Sequence, residues 1–152
     1  MDATNLKILR ILQEKARIPN IEVSRLINLA PSAVLERIRK MEKQGIIDGY
    51  EVRLNPKRFA KSLVAFVKVK IKTPGDEKKA GQALSEIPEV QEVHYVAGED
   101  AFLVKVRVAD PEDLGRLTRD KIAAVAAVQS TQTAIVLSTY KETARIPIDN
   151  VD

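Results

Sequence analysis

The chain contains no cysteine, no tryptophan and a single histidine. Without cysteine there is no disulfide framework and no thiolate metal site. His94 alone cannot build a histidine-rich metal centre, and no carboxylate pair is spaced to join it, so no metal is expected and His94 reads as a sheet residue. Long apolar runs are also missing, and the N-terminus lacks the basic-then-apolar layout of a signal peptide. A cytoplasmic protein with no membrane partner is the expectation. The phosphate-binding loop, the dinucleotide fingerprint and the nucleophile elbow are absent too. The reading is therefore of a protein with no cofactor and no catalytic residues.

What is present describes a folded chain. Hydrophobic residues make up 45% and charged residues 30% of 152 positions, enough for one ordinary domain or two small ones. The net charge of +4 is unevenly spread. Through Lys61 there are thirteen Lys/Arg against seven Asp/Glu; from Ser62 onward there are twelve against fourteen. A basic half joined to a mildly acidic one points to a polyanion as partner of the first half only.

The basic half contains PNIEVSRLINLAPSAVLERIRKMEKQGII, from Pro19 to Ile47. Val23, Leu26 and Ile27 form one helical stripe, and Asn28 to Ala30 interrupt it. Pro31 sits where proline best opens a helix. Val34, Ile38 and Met41 form the next stripe, opposite a face with Ser32, Ala33, Glu36, Arg37 and Lys40. Two such helices joined by a short turn are a helix-turn-helix candidate. A helix over Asn5–Lys15 with Ile8, Leu9 and Leu12 inward completes a three-helix core, together with Leu29. Gly45 ends the third helix by taking a positive φ. Ile46–Leu54 has extended character, as a wing or as a linker strand that pairs with a second chain, and Asn55-Pro56 closes it.

The remainder alternates between strand and helix patterns. Strands are expected at Ser62–Ile71, Val90–Ala97, Ala101–Ala109 and Ser130–Tyr140. One helix carries Ala80, Ala83, Leu84 and Ile87. A second is capped by Asp110, opened by Pro111 and buries Leu114, Leu117, Ile122 and Val125. The order βαββαβ is the ferredoxin-like arrangement, in which two helices cover one sheet face. Val64, Phe66 and Leu103 on the other face call for a partner sheet, so the domain is expected to dimerise. The fold class is α+β: a helix-turn-helix, winged-helix-like domain over 1–49, a linker strand over 50–61, and a ferredoxin-like domain over 62–152.

Together, NLKILRILQEKAR, EVSRLINLAPSAVLERIRKMEKQGIIDGYEVRLNP, EVQEVHYVAGEDAFLVKV and STQTAIVLSTYKE resemble the leucine-responsive/asparagine-regulator (Lrp/AsnC) family of transcription factors over nearly the full length. The resemblance implies a DNA-binding N-terminal domain, a linker strand, and an effector domain that dimerises. It also implies assembly of dimers into octamers and amino acids bound between dimers. The chain departs from the family pattern in three places. Ala30 stands where a serine usually caps the recognition helix, so Ser32 must cap it or the cap is lost. Gly98-Glu99-Asp100-Ala101 replaces Gly-x-x-Asp, leaving either Ala101 or Asp100 in the place of the aspartate. Ala126-Ala127 replaces Pro-Gly.

The chemistry of recognition singles out particular side chains. The major groove admits a helix, whose N-terminal side chains reach base edges. Ser32, Ala33 and Glu36 are placed for bases and Arg37 for guanine or phosphate. Lys40, Lys43 and Arg25 are placed for phosphates. Glu36 and Lys40 equally fit a surface ion pair. Arg37 is favoured for DNA because only Glu36 and Glu42 stand near it at helical spacing. For an effector, Gly98, Glu99, Asp100 and Ala101 offer amides and carboxylates in a tight turn, with Thr131 and Thr133 adding hydroxyls from a neighbouring subunit. A plain hairpin and ordinary strand formers account for the same residues. The leading expectation is a sequence-specific, effector-responsive regulator that binds double-stranded DNA. An enzyme on the layout of some tetrapyrrole decarboxylases, or a sensing assembly protein without DNA binding, stands beside it.

Overall fold

The computed structural model describes residues 1–148 and divides into two units, Met1–Arg53 with residues 142–148, and Leu54–Lys141. The sequence pattern had drawn no such return of the C-terminal segment. Among the described residues no helix is long and apolar enough to cross a membrane.

The helical unit consists of α1 (Ala3–Glu14), α2 (Asn20–Ile27) and α3 (Pro31–Lys43). Ile8, Leu12, Val23, Val34, Ile38 and Met41 are buried together, with Leu9, Ile27 and Leu29 partly buried against them. Leu26 is not among them, being 66% exposed. The inward stripe of α2 instead uses Ser24, whose hydroxyl donates to the Ile21 carbonyl at 2.8 Å and so enters the core satisfied. Asn28 ends α2 in the left-handed region, φ 59° and ψ 47°, where asparagine is tolerated better than most residues. Gly45, at φ 67°, turns the chain after α3 so that the Ile46 amide donates to the Met41 carbonyl at 2.9 Å. From Ile46 to Leu54 no strand or helix forms within the chain. Tyr50, Val52 and Leu54 stand half or more exposed at alternate positions.

The second unit is a four-stranded antiparallel sheet in the order β2-β3-β1-β4, from β1 (Leu63–Ile71), β2 (Val90–Val96), β3 (Ala101–Val108) and β4 (Val128–Ile135). It carries α4 (Glu77–Ser85) and α5 (Pro111–Arg116), the latter continuing as a π-helical stretch over Leu117–Ile122. Asp110 caps α5 through the Asp113 amide at 2.8 Å. The strand order and the helix-covered face make this the ferredoxin-like βαββαβ arrangement. Ala65, Val67, Val69, Phe102, Val104, Val106 and Val108 meet Ala80, Leu84, Leu114, Leu117 and Ile122 in one core. The last strand ends at Ile135 rather than at Tyr140, because past Val136 nothing on β1 remains to pair with it.

The alternation along β1 and β3 puts Val64, Phe66 and Leu103 on the face opposite this core. Lys105 lies among them only 8% exposed, and its ammonium donates to Glu92 at 2.9 Å. His94 reaches the other Glu92 oxygen at 3.2 Å. Lys105, and then His94, hold the Glu92 carboxyl below its usual range.

Candidate nucleic-acid interface and effector turn

The placement of each side chain around α3 follows from its angle to the buried stripe. With about 100° per residue, Ser32, Glu36, Arg39 and Lys43 lie within about 50° of the direction opposite Val34, Ile38 and Met41, and Lys40 is just beyond. Ser32, Glu36, Arg39, Lys40 and Lys43 are exposed, and so is Arg25 in the last turn of α2; Ala33 is half-buried. No ion pair joins Glu36 to Lys40 among the described residues, so the surface-pair reading of those two is not formed. Arg39 was missing from the residues singled out by sequence. The same wheel that places Glu36 places it, and it adds a guanidinium to the outward face.

Arg37 is different. It lies about 65° from the centre of the buried stripe at 100° per residue, on the side facing α1. Its Nη1 donates to Asp2 Oδ2 at 2.6 Å and to Asn5 Oδ1 at 2.9 Å. Helical spacing offered only Glu36 and Glu42 as neighbours of Arg37; the neutralising group comes instead from Asp2, 35 residues away in sequence. Asp2 is itself the N-cap of α1, its Oδ1 accepting from the Asn5 amide at 2.7 Å. The Arg37 side chain and the Asn5 amide together hold the Asp2 carboxyl below its ordinary value of 3.8. Glu42, for its part, accepts from the Tyr50 hydroxyl at 2.9 Å, and burial together with that carboxylate pushes the Tyr50 phenol up to about 12.

The start of α3 has no side-chain cap. Ala30 occupies the cap position with φ −67° and ψ 142°, and Ser32 does not substitute for it. The orphan amides at this end therefore stay open for solvent or an anion.

The turn between β2 and β3 is tight. Gly98 adopts φ 101° and Asp100 φ 48°, and β3 begins at Ala101, which is fully buried. Of the two carriers considered for the aspartate role, Asp100 is exposed and Ala101 is buried. Glu99 is engaged by the Lys68 ammonium, which holds its carboxyl below the usual range. Thr131 and Thr133 pair with Val69 and Val67, on the helix-covered face at the sheet edge. Two strand spacings separate β4 from β3, about 10 Å, so the turn and the threonines stand apart on the sheet of one chain. Two clefts of the sheet unit are lined by other residues. One of about 640 Å³ lies between α4 and β2 beside Gly81, Ser85, Tyr95 and Phe102, and one of about 310 Å³ is bordered by Lys61, Glu89, Arg116 and Lys121.

With the geometry in place, comparison with known proteins is informative. Residues 1–48 match a winged helix-turn-helix DNA-binding domain, and residues 64–146 match the Lrp/AsnC ligand binding domain. The chain is 35% identical to the HTH-type transcriptional regulator FL11 of Pyrococcus horikoshii, over 97% of both chains. It is 33% identical to the leucine-responsive regulatory protein of Escherichia coli, over 97% of this chain and 92% of the relative. A transcriptional regulator of Neisseria meningitidis, solved with L-methionine, superposes with a TM-score of 0.91 at 30% identity, over 97% of this chain and 96% of that one. A feast or famine regulatory protein of Mycobacterium tuberculosis, also solved with L-methionine, gives 0.87 at 31% identity, over 95% and 97%.

Proposed function

Because this chain belongs to the Lrp/AsnC family of transcription regulators, we propose that it binds duplex DNA as a symmetric dimer and adjusts that binding to an amino acid. The observation that carries the reading is the outward face of α3. Ser32, Ala33 and Glu36 stand at its start for base edges, and Arg25, Arg39, Lys40 and Lys43 surround them for phosphates. Arg37 takes a different part in this proposal: it braces α3 against the cap of α1 rather than reading DNA.

Dimerisation uses the open sheet face with Val64, Phe66 and Leu103. Tyr50, Val52 and Leu54 form a linker strand that finds its partner on the second chain. The amino acid sits at Gly98–Ala101, with Asp100 meeting the ammonium group and Thr131 and Thr133 contributed by a neighbouring subunit. The separation of turn and threonines within one chain supports a site completed between copies, and such a site invites dimers to assemble further into octamers. The work proposed is binding, not catalysis, in the cytoplasm.

The test is a thermal-shift screen of the amino acids on the full chain, followed by selection of a bound duplex with and without each hit. A ligand of the native state raises apparent stability by linkage. No shift with any amino acid, together with DNA binding that none of them alters, sinks the effector part. Failure to enrich any duplex sinks the DNA part.

A further inference from the structure

The C-terminal segment leaves β4, runs through Val136–Lys141, and then joins the helical unit. It lies along the outer face of α1. Gln13 pairs with Ile146 as a neighbouring strand would: its Oε1 accepts from the Ile146 amide at 2.7 Å and its Nε2 donates to the Ile146 carbonyl at 3.0 Å. One residue earlier, the Arg145 guanidinium donates to the Glu14 carbonyl at 3.5 Å. Two residues later, the Ile148 carbonyl accepts from Arg10 Nη2 at 3.4 Å.

These contacts keep one register. As the segment advances from 145 to 148, its partners on α1 recede from Glu14 through Gln13 to Arg10. Arg10, Gln13 and Glu14 are spaced i, i+3 and i+4, a single helical face directed away from the buried Ile8 and Leu12. The helix also has a need that the segment meets. No basic residue stands in the last turn of α1, where exposed carbonyls favour a cation, and Arg145 brings one there.

We propose that residues 142–148 are a strap of the DNA-binding domain, seated on α1 and gripped by Gln13. The proposal rests on the DNA-binding reading only for its consequence, not for its existence. The DNA-binding unit is then attached to the sheet unit by two stretches of chain. One leaves after Arg53; the other comes directly off β4, the strand that carries Thr131 and Thr133. The α1 held by the strap is the same helix whose cap Arg37 engages from α3, so the grip bears on the seating of the recognition helix.

Hydrogen exchange of the full chain tests this, comparing wild type with Gln13→Ala, with Ile146→Pro, which removes the amide donated to Gln13, and with a chain ending at Lys141. The bonds of Gln13 and Arg145 are exposed, and the net worth of each in water is under about a factor of ten in an opening equilibrium. The expected result is faster exchange in the second half of α1, by about five-fold in each point variant and more in the truncated chain, with β1 and β3 unchanged. Affinity for a duplex selected by the wild type should fall several-fold in the same order. Equal α1 exchange in all four proteins overturns the proposal, since Ile146→Pro alters an extended tail and leaves the folded units intact. A wild type that selects no duplex overturns the DNA reading instead, and the exchange comparison still decides the strap.

Discussion

Two cations one turn apart on α3, Arg37 and Lys40, are expected to differ in how truncation changes the salt dependence of binding. Lys40 is exposed and carries no ion pair among the described residues, whereas Arg37 is committed to Asp2 and Asn5. Each phosphate contact contributes about 0.9 to the slope of log affinity against log salt. If Arg25, Arg39, Lys40 and Lys43 each meet one phosphate, a dimer makes about eight contacts, for a slope near −7 and a loss of about 10⁴-fold between 50 and 200 mM salt. Lys40→Ala removes two contacts per dimer and should flatten the slope by about 1.8. Arg37→Ala should leave the slope within experimental error of wild type, weaken binding at every salt concentration, and lower the melting temperature. Asp2→Ala provides the converse. If Arg37 braces α3, this variant weakens binding as Arg37→Ala does; if Arg37 is a phosphate ligand, releasing it strengthens binding. The assay is fluorescence anisotropy on a selected duplex at four or five salt concentrations. An Arg37→Ala slope flattened as much as that of Lys40→Ala refutes the reasoning.

Other perturbations follow from the same geometry. Ala30→Ser gives α3 the cap it lacks and should stabilise the helical unit by about 1 kcal/mol, read as a higher denaturant midpoint. Asn28→Ala places a Cβ without side-chain compensation at φ 59° and should cost about 1 kcal/mol, while Asn28→Gly should be close to neutral in the same assay. Leu84→Ala, at a fully buried position of the sheet unit, should cost about 2–5 kcal/mol and lower the melting of that unit. The Tyr50 phenol, raised to about 12 from its ordinary 10, makes a contribution that is present in full below pH 10 and fades as pH rises toward 12. Ultraviolet titration of wild type against Tyr50→Phe should therefore lose a phenol ionising near 12, and the alkaline decline in stability should be smaller in the variant.

Periodicity made most of the architecture legible, because a buried stripe on a helix or strand is a local pattern. Val34, Ile38 and Met41 needed no knowledge of their neighbours, and neither did the alternation of Ala65, Val67 and Val69. Leu26 shows where the pattern misleads. A helix of eight residues buries only one narrow stripe, and a serine that bonds its own helix can take the place of a leucine at its edge. Of the proposed interface, what was legible is the angle each side chain takes around α3, and Glu36, Lys40 and the overlooked Arg39 share one exposed face.

Arg37 and the C-terminal strap were illegible for a common reason. Both depend on hydrogen bonds between positions far apart in the chain, 35 residues in one case and 133 in the other, and no spacing rule encodes such partners. That has a consequence for regulation. The residues proposed to meet DNA are set by local helix geometry, whereas the residues that bond to α3 and α1 from elsewhere are far away in sequence. Asp2 and Asn5 grip α3 from the N-terminal end, and Arg145 and Ile146 grip α1 from the C-terminal end. If residues 142–148 act as the strap proposed above, a signal that reaches β4 has a route to α1 that does not pass through the linker after Arg53.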